Sequence, residues 1–329
     1  MRFGAFVPQG WRLDLVGIDV KDQWGVMRTV AQAIERAGFD SLWVYDHFHT
    51  TPVATQEETY EAWSLMAALA VTTDTIRLGQ MCTCNGYRHP SYLAKVAASI
   101  DAISGGRVEM GIGAGWYEHE YKGYGYPFPR PSVRIGELRE AVEIMRRMWT
   151  EDVVDYQGEH YTLEGGICRP RPLQNPHIPF WIAGGGEQLT LNVAARHAQY
   201  TNFGGSVEKF VHKSEVLRRH CDDVGRDFEE IVRSANFNVI VAESEAAVED
   251  RLRLLVERLL PLVGRERAEK TAQGFRNGGT AGTPEQVVAT LAEWKEAGLR
   301  YAISYMPDLA YDRTGLELYA AEVIPALAD

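Results

Sequence analysis

The segment Ile76–Trp116, IRLGQMCTCNGYRHPSYLAKVAASIDAISGGRVEMGIGAGW, constrains the fold of this chain more than any other. An apolar run ends in a polar loop that carries Arg88 and His89, an amphipathic helix follows, and a second apolar run ends in glycines. Leu93, Val96, Ala97, Ile100 and Ile103 give the helix its buried face. Pro90 suits its start and Ser104–Gly105–Gly106 its end. Such a strand–loop–helix–strand–loop unit places both loops at the carboxyl ends of neighbouring parallel strands.

The unit repeats along the chain. Candidate strands lie near residues 3, 42, 77, 108, 180, 200, 236 and 302, and most precede a segment of helical period. No linker interrupts the series, so one (β/α)8 TIM-barrel domain over residues 1–329 is favoured over an open doubly wound sheet. Three stretches depart from the repeat. Residues 117–131, rich in aromatics, glycine and proline, read as an irregular loop. Residues 153–178 read as a hairpin, Val153 to Leu163, followed by a Pro-rich crossing. Residues 264–283 end in a Gly-rich segment, Gly274 to Thr283, that reads as a loop.

Lys+Arg 34 against Asp+Glu 45 gives a net charge of −11, which disfavours a nucleic-acid backbone as partner. No window is apolar enough for a membrane span, and the opening MRFGAFVPQG is too short a run for a signal peptide. These features predict a cytoplasmic protein. Cys82, Cys84, Cys168 and Cys221 fit neither a CxxC nor a zinc pattern and are read as reduced thiols. His49, His119, His160, His177 and His197 form no ligand-spaced set, so no metal is expected.

In a barrel the site is built from the loops after the strands. The polar residues just past the candidate strands are Gln9, Asp46–His47, Thr83 to His89, Gly113 to Trp116, Gly184 to Gln188 and Asn202. Their convergence from separate segments on one rim is the main argument for an enzyme. His47 suits general acid/base work near neutrality, or a structural hydrogen bond to Asp46 or backbone. Gly184–Gly185–Gly186, between strand and helix, suits a phosphate cradle or a tight turn. Gly111, Gly113 and Gly115 lack the offset and acidic partner of a dinucleotide fingerprint, and are read as a bed for a flat ring. Arg88 and His89 can neutralise an anionic ring or phosphate, or form a loop salt bridge. Trp116, Tyr117 and Tyr121 can wall an apolar pocket, with Glu118 and Glu120 as flanking acids.

These motifs closely resemble the bacterial-luciferase-like superfamily of flavin- or coenzyme F420-dependent oxidoreductases. The resemblance runs almost end to end, through FDSLWVYDHF, the Ile76–Trp116 segment, FWIAGGGEQLTLNVAARHA and GTPEQVVATLAEWKEAG. It implies a barrel with inserted loops, a homodimer formed through first-half helices, and a cofactor ring across the barrel mouth. It also implies a non-prolyl cis peptide within Met81 to Cys84, behind the ring. The cofactor bed then comprises Asp46, Met81, Cys82, Thr83, Cys84, Arg88, His89, Gly113, Ala114, Gly115, Ala183, Gly184, Gly185, Gly186 and Asn202. The substrate side comprises Gln9, Thr51, Trp116, Tyr117 and Tyr121.

The F420-dependent glucose-6-phosphate dehydrogenases look similar, and their catalytic His corresponds to His47. Where they carry a Trp and a Glu this chain has Thr51 and Trp116, which argues against that sugar phosphate and for an apolar substrate. The favoured reading is an oxidoreductase moving hydride between F420 and a small organic compound. The alternative is an FMN-dependent monooxygenase supplied with reduced flavin by a separate reductase. A cofactor-binding protein without turnover is the reading from another class.

Overall fold

A computed structural model of the protein describes residues 1–328. The expected strands are present in order: β1 (Arg2–Phe6), β2 (Ser41–Val44), β3 (Arg77–Gln80), β4 (Val108–Gly113), β5 (Phe180–Ala183), β6 (Tyr200–Asn202), β7 (Val232–Asn238) and β8 (Tyr301–Tyr305). Parallel strands alternating with helices make the fold class the (β/α)8 barrel that the sequence predicts. The chain groups into two compact units, Met1–Glu61 with Ser234–Asp329, and Ala62–Arg233.

In the first unit β2, β1, β8 and β7 pair side by side, all parallel, with Gly4 opposite Ser41, Phe3 opposite Ala302 and Ala235 opposite Ala302. One face of β1 carries Phe3, set edge-on to the Tyr319 ring at 6.0 Å, against the helical layer. On the other face Trp43 Nε1 donates to Ser41 Oγ at 2.6 Å, and Ser41 Oγ meets Tyr301 OH at 2.7 Å. A Cβ on Gly4 would collide with that indole and hydroxyl, so the glycine makes room for the tryptophan. The helix Val20–Arg36 buries Met27, Val30, Ala31 and Ile34, its i, i+3, i+4, i+7 face.

In the second unit β3, β4, β5 and β6 pair in parallel, with Leu78 opposite Val108, Met110 opposite Phe180 and Trp181 opposite Tyr200. The Glu109 carboxylate is buried and paired: it accepts from Arg77 and, at 2.6 Å, from Trp181 Nε1. The Trp181 indole stacks on Tyr200 at 4.0 Å. Arg107 is equally buried, and its guanidinium donates to the carbonyls of Ser104, Ile76, Ala70 and Thr73 and to Thr73 Oγ1 at 2.7–2.9 Å. That single side chain ties the ends of the helices Ala62–Ala70 and Pro90–Ser104 to the start of β3.

Two of the stretches that depart from the repeat hold helices, the second running into the expected Gly274 to Thr283 loop as far as Asn277. Within 117–131, Glu118–Gly123 forms a short helix with two acids in its first turn and a Glu118–Lys122 pair at 2.8 Å. It buries Tyr121 and Glu120, whose carboxylate accepts the Tyr87 hydroxyl at 2.8 Å. Within 264–283, Arg265–Asn277 is a helix burying Ala268, Ala272 and Phe275 on one face, and Gly274 lies inside it. Tertiary packing against the helix Glu245–Val263 overrides the glycine's weak propensity there. The hairpin forms where expected, Val154–Gln157 against Thr162–Gly166. The helical end of the chain, from Thr314 to Leu327, is interrupted by a π turn at Tyr319–Val323. Among the described residues no helix is long and apolar enough to cross a membrane.

Candidate active site

The predicted rim residues of the first unit gather around Gln9, which is almost wholly buried. Gln9 Nε2 donates to the carbonyls of Tyr45 at 2.7 Å and Tyr60 at 2.5 Å, and its Oε1 accepts from Tyr45 N at 2.7 Å. The side chain thereby fixes the chain beyond β1 to that beyond β2, and the neighbouring Asp46 is buried. His47 follows, its imidazole stacked on the Trp11 indole at 4.0 Å and 6°. Trp11 Nε1 is buried and has no hydrogen-bond partner among the described residues. Thr51 N donates to Trp11 O at 2.8 Å, holding the loop after His47 against the same tryptophan.

Beneath this rim lies a charged and phenolic cluster. The Arg12 guanidinium sits over the Tyr305 ring at 3.8 Å and donates to Asn238 Oδ1 at 2.7 Å, joining the carboxyl ends of β7 and β8. Asp14 accepts from the amides of Gly10 at 2.7 Å and Gln9 at 3.2 Å. Burial raises the Asp14 carboxyl above its usual range, with those two amides and Arg12 opposing. Burial also raises the Tyr45 and Tyr305 phenols, which stay protonated at physiological pH.

In the second unit the chain turns sharply after β3. The Met81–Cys82 peptide is cis, inside the Met81–Cys84 range that the family resemblance indicates. Thr83 Oγ1 donates to Gln80 Oε1 at 2.7 Å, while Gln80 Nε2 and Asn85 Oδ1 are buried without partners among the described residues. Cys84 Sγ meets Tyr121 OH at 3.0 Å, and burial pushes that phenol up. Gly115, at φ +80°, lies so close to the Tyr121 hydroxyl and Cys84 that no Cβ fits. Gly113 is packed against Cys82 Sγ and the Ala183 carbonyl, which brings the ends of β3, β4 and β5 into mutual contact. Ala114 is half-buried between these two glycines.

Tyr121 is thus an interior support, whereas Trp116 is 63% exposed and stacks on Tyr117 at 5.1 Å. Arg88 is half-buried and His89 is exposed. His89 caps the helix Pro90–Ser104, its Nδ1 lying 2.7 Å from Ser91 Oγ and accepting from Ser91 N at 3.3 Å.

The glycine loop leaves β5 with Gly184 at φ +117° and its amide donating to Asn202 O at 2.9 Å, so the ends of β5 and β6 are joined. Gly186 and Thr190 lie together at the start of the helix Thr190–His197. Lys213, from the helix Val207–Val224, lays its ammonium over Gly185, where a Cβ would collide with it. The Gly185 and Gly186 amides, a helix start and a neighbouring ammonium are the donor set an anion needs.

Sequence reading missed Trp11, Arg12, Tyr45 and Tyr305 in the first unit, and Gln80 and Lys213 in the second; Asn85 lies inside the Thr83 to His89 stretch it singled out. Tyr45 directly precedes Asp46–His47 and Tyr305 ends the last strand, so a search of strand ends for phenols would have found both. Lys213 carries no such signal, because its charge lies on an ordinary polar helix face.

A sequence model of the family described as luciferase-like monooxygenase matches residues 1–301. The F420-dependent glucose-6-phosphate dehydrogenase of Amycolatopsis mediterranei (strain U-32) is 26% identical over 326 residues, covering 93% of this chain and 96% of that protein. The FMNH(2)-dependent dimethylsulfone monooxygenase of Pseudomonas putida is 25% identical over 265 residues, covering 75% of this chain and 72% of the other. The structure of an F420-dependent secondary alcohol dehydrogenase in complex with an F420-acetone adduct superposes with a TM-score of 0.79 at 22% identity, covering 100% of this chain and 99% of that one.

Proposed function

Because the chain belongs to the luciferase-like monooxygenase family, and so is a luciferase-like oxidoreductase, we propose that it transfers a hydride between coenzyme F420 and a small, apolar organic substrate. The observation that carries F420 is coverage. The F420-dependent relative aligns with 93% of this chain, whereas the FMNH(2)-dependent one aligns with 75%. The latter similarity, at 25% identity, keeps a monooxygenase using reduced FMN as the second reading.

The residues of the second unit suit a phosphate-bearing, heterocyclic cofactor. Gly185 and Gly186 offer amides, and Lys213 offers a counter-charge. The unpaired Gln80 Nε2 is a donor, and Asn85 Oδ1 an acceptor, for the alternating N–H and C=O edge of such a ring. When bound, the deazaflavin supplies two-electron hydride chemistry. His47 holds or delivers the accompanying proton at a ring nitrogen, and the Trp11 stack fixes its imidazole plane. The Trp11 N–H is the spare donor for a substrate oxygen. Thr51 and the exposed Trp116 leave the substrate side without the residues matched to a sugar phosphate.

Equilibrium binding of F420 and FMN, each oxidised and reduced, tests the cofactor assignment. F420 is expected to bind at least about tenfold more tightly, a difference of roughly 1.4 kcal/mol. Tight FMN binding with none of F420 overturns it in favour of the monooxygenase. Gly185→Val tests the cradle whichever cofactor binds. The residue displaced is the mobile end of Lys213, so the melting temperature should stay near that of the parent. Affinity should fall about tenfold or more through loss of a charge-assisted contact. Unchanged affinity in that variant would remove the glycine loop from the site.

A further inference from the structure

At the opposite end of the helix Thr190–His197 from the glycine loop, a cavity of about 630 Å³ opens among the outer helices of the second unit. Its lining includes Arg139, Glu143 and Arg146 from the helix Pro131–Thr150, Arg196 and His197, and Arg226 just beyond the helix Val207–Val224. We infer that this cavity is a second anion site, taking a small ligand with at least two phosphate or carboxylate groups. Its lining on this helix runs from Asn192 to His197 and includes none of Gly184 to Gly186 or Lys213.

The charge balance carries the inference. The chain as a whole has a net charge of −11, yet here four guanidiniums face Glu143 and the Glu230 carboxylate, which accepts from Arg226 Nε at 3.1 Å. The Arg139 and Arg146 guanidiniums form no hydrogen bond or ion pair among the described residues. Like charges held around a concave, partly desolvated space repel one another, and a multivalent anion relieves that repulsion through charge-assisted bonds. Guanidinium suits the task because its planar fork matches carboxylate and phosphoryl oxygens.

The remaining groups agree. Arg196 Nε donates to Asn192 Oδ1 at 3.0 Å, which leaves its other N–H groups available. The carbonyl end of a helix disfavours an anion, but Arg226 Nη1 covers the Ala195 carbonyl at 3.1 Å. His197 is half-buried in the same lining. Burial, reinforced by the surrounding arginines, lowers its pKa to about 4, so the free cavity holds a neutral imidazole able to donate or accept.

Calorimetric titration of the full chain with pyrophosphate, and separately with citrate, tests the site and distinguishes the two ligand chemistries. Saturable one-to-one binding of at least one is expected, and the tighter of the two identifies the class. The double variant Arg139→Gln/Arg146→Gln should weaken it by about tenfold or more, whereas Lys213→Gln, at the glycine loop, should leave it intact. Both substitutions lie at partly exposed positions, and a melting temperature near the parental value confirms that the fold is retained. Absence of saturable binding of either anion overturns the proposal. So does binding that the double variant leaves unchanged.

Discussion

Arg107→Leu is expected to lower the unfolding free energy by about 3–5 kcal/mol, the range for a buried charged group whose partners are left behind. The reason is the completeness of its bonding. Its guanidinium satisfies the carbonyls of Ser104, Ile76, Ala70 and Thr73 together with Thr73 Oγ1, all within one buried junction. Leucine fills part of the volume but leaves each acceptor without its donor. Arg107→Lys should also destabilise, because a single ammonium cannot address acceptors arranged around a fork. Urea unfolding should show a lower midpoint with an unchanged slope. A midpoint equal to the parental one would mean that water replaces the guanidinium without cost.

His47→Ala is expected to reduce kcat by about 10²- to 10⁴-fold, the usual contribution of a positioned acid or base. The comparison uses whichever organic compound the parent oxidises or reduces, found by following F420 absorbance across a panel. Cofactor affinity should change little, because the proposed phosphate seat at Gly184–Gly186 and Lys213 is untouched. Trp11→Phe offers a graded companion. It keeps a ring against the imidazole but removes the buried N–H, so KM should rise more than kcat falls. Parental turnover in His47→Ala would end the acid/base assignment while leaving the cofactor question open.

The strands were legible because each reports its own environment. Leu42–Trp43–Val44 and Phe180–Trp181–Ile182 are buried on both faces, and a strand so placed must be apolar throughout. The helices were legible from their period, and Pro90–Ser104 begins at the expected proline and ends at the expected Ser104–Gly105–Gly106. The two misread stretches share one cause. Glu118–Gly123 and Arg265–Asn277 are rich in polar residues or sit beside glycine and proline, and they become helices through the side chains they bury. Burial of Tyr121 beneath Gly115 and Cys84, or of Phe275 with Ala268 and Ala272, is a long-range fact with no local trace.

The candidate site divides in the same way. Sequence alone singled out the candidate loops, since Gln9, His47, the Met81–His89 turn and Gly184–Gly186 all stand where an apolar run gives way to polar or glycine residues. It therefore also determined the fold class and the family. Only the tertiary structure decided the roles of particular side chains. It set Trp11 against His47, made Tyr121 an interior support while leaving Trp116 exposed, and brought Lys213 over Gly185. It gathered Arg139, Arg146, Arg196 and Arg226 around one cavity. Hydrophobic period is a property of consecutive residues, whereas the meeting of charges and rings depends on how separate elements pack, and that information is spread over the whole chain.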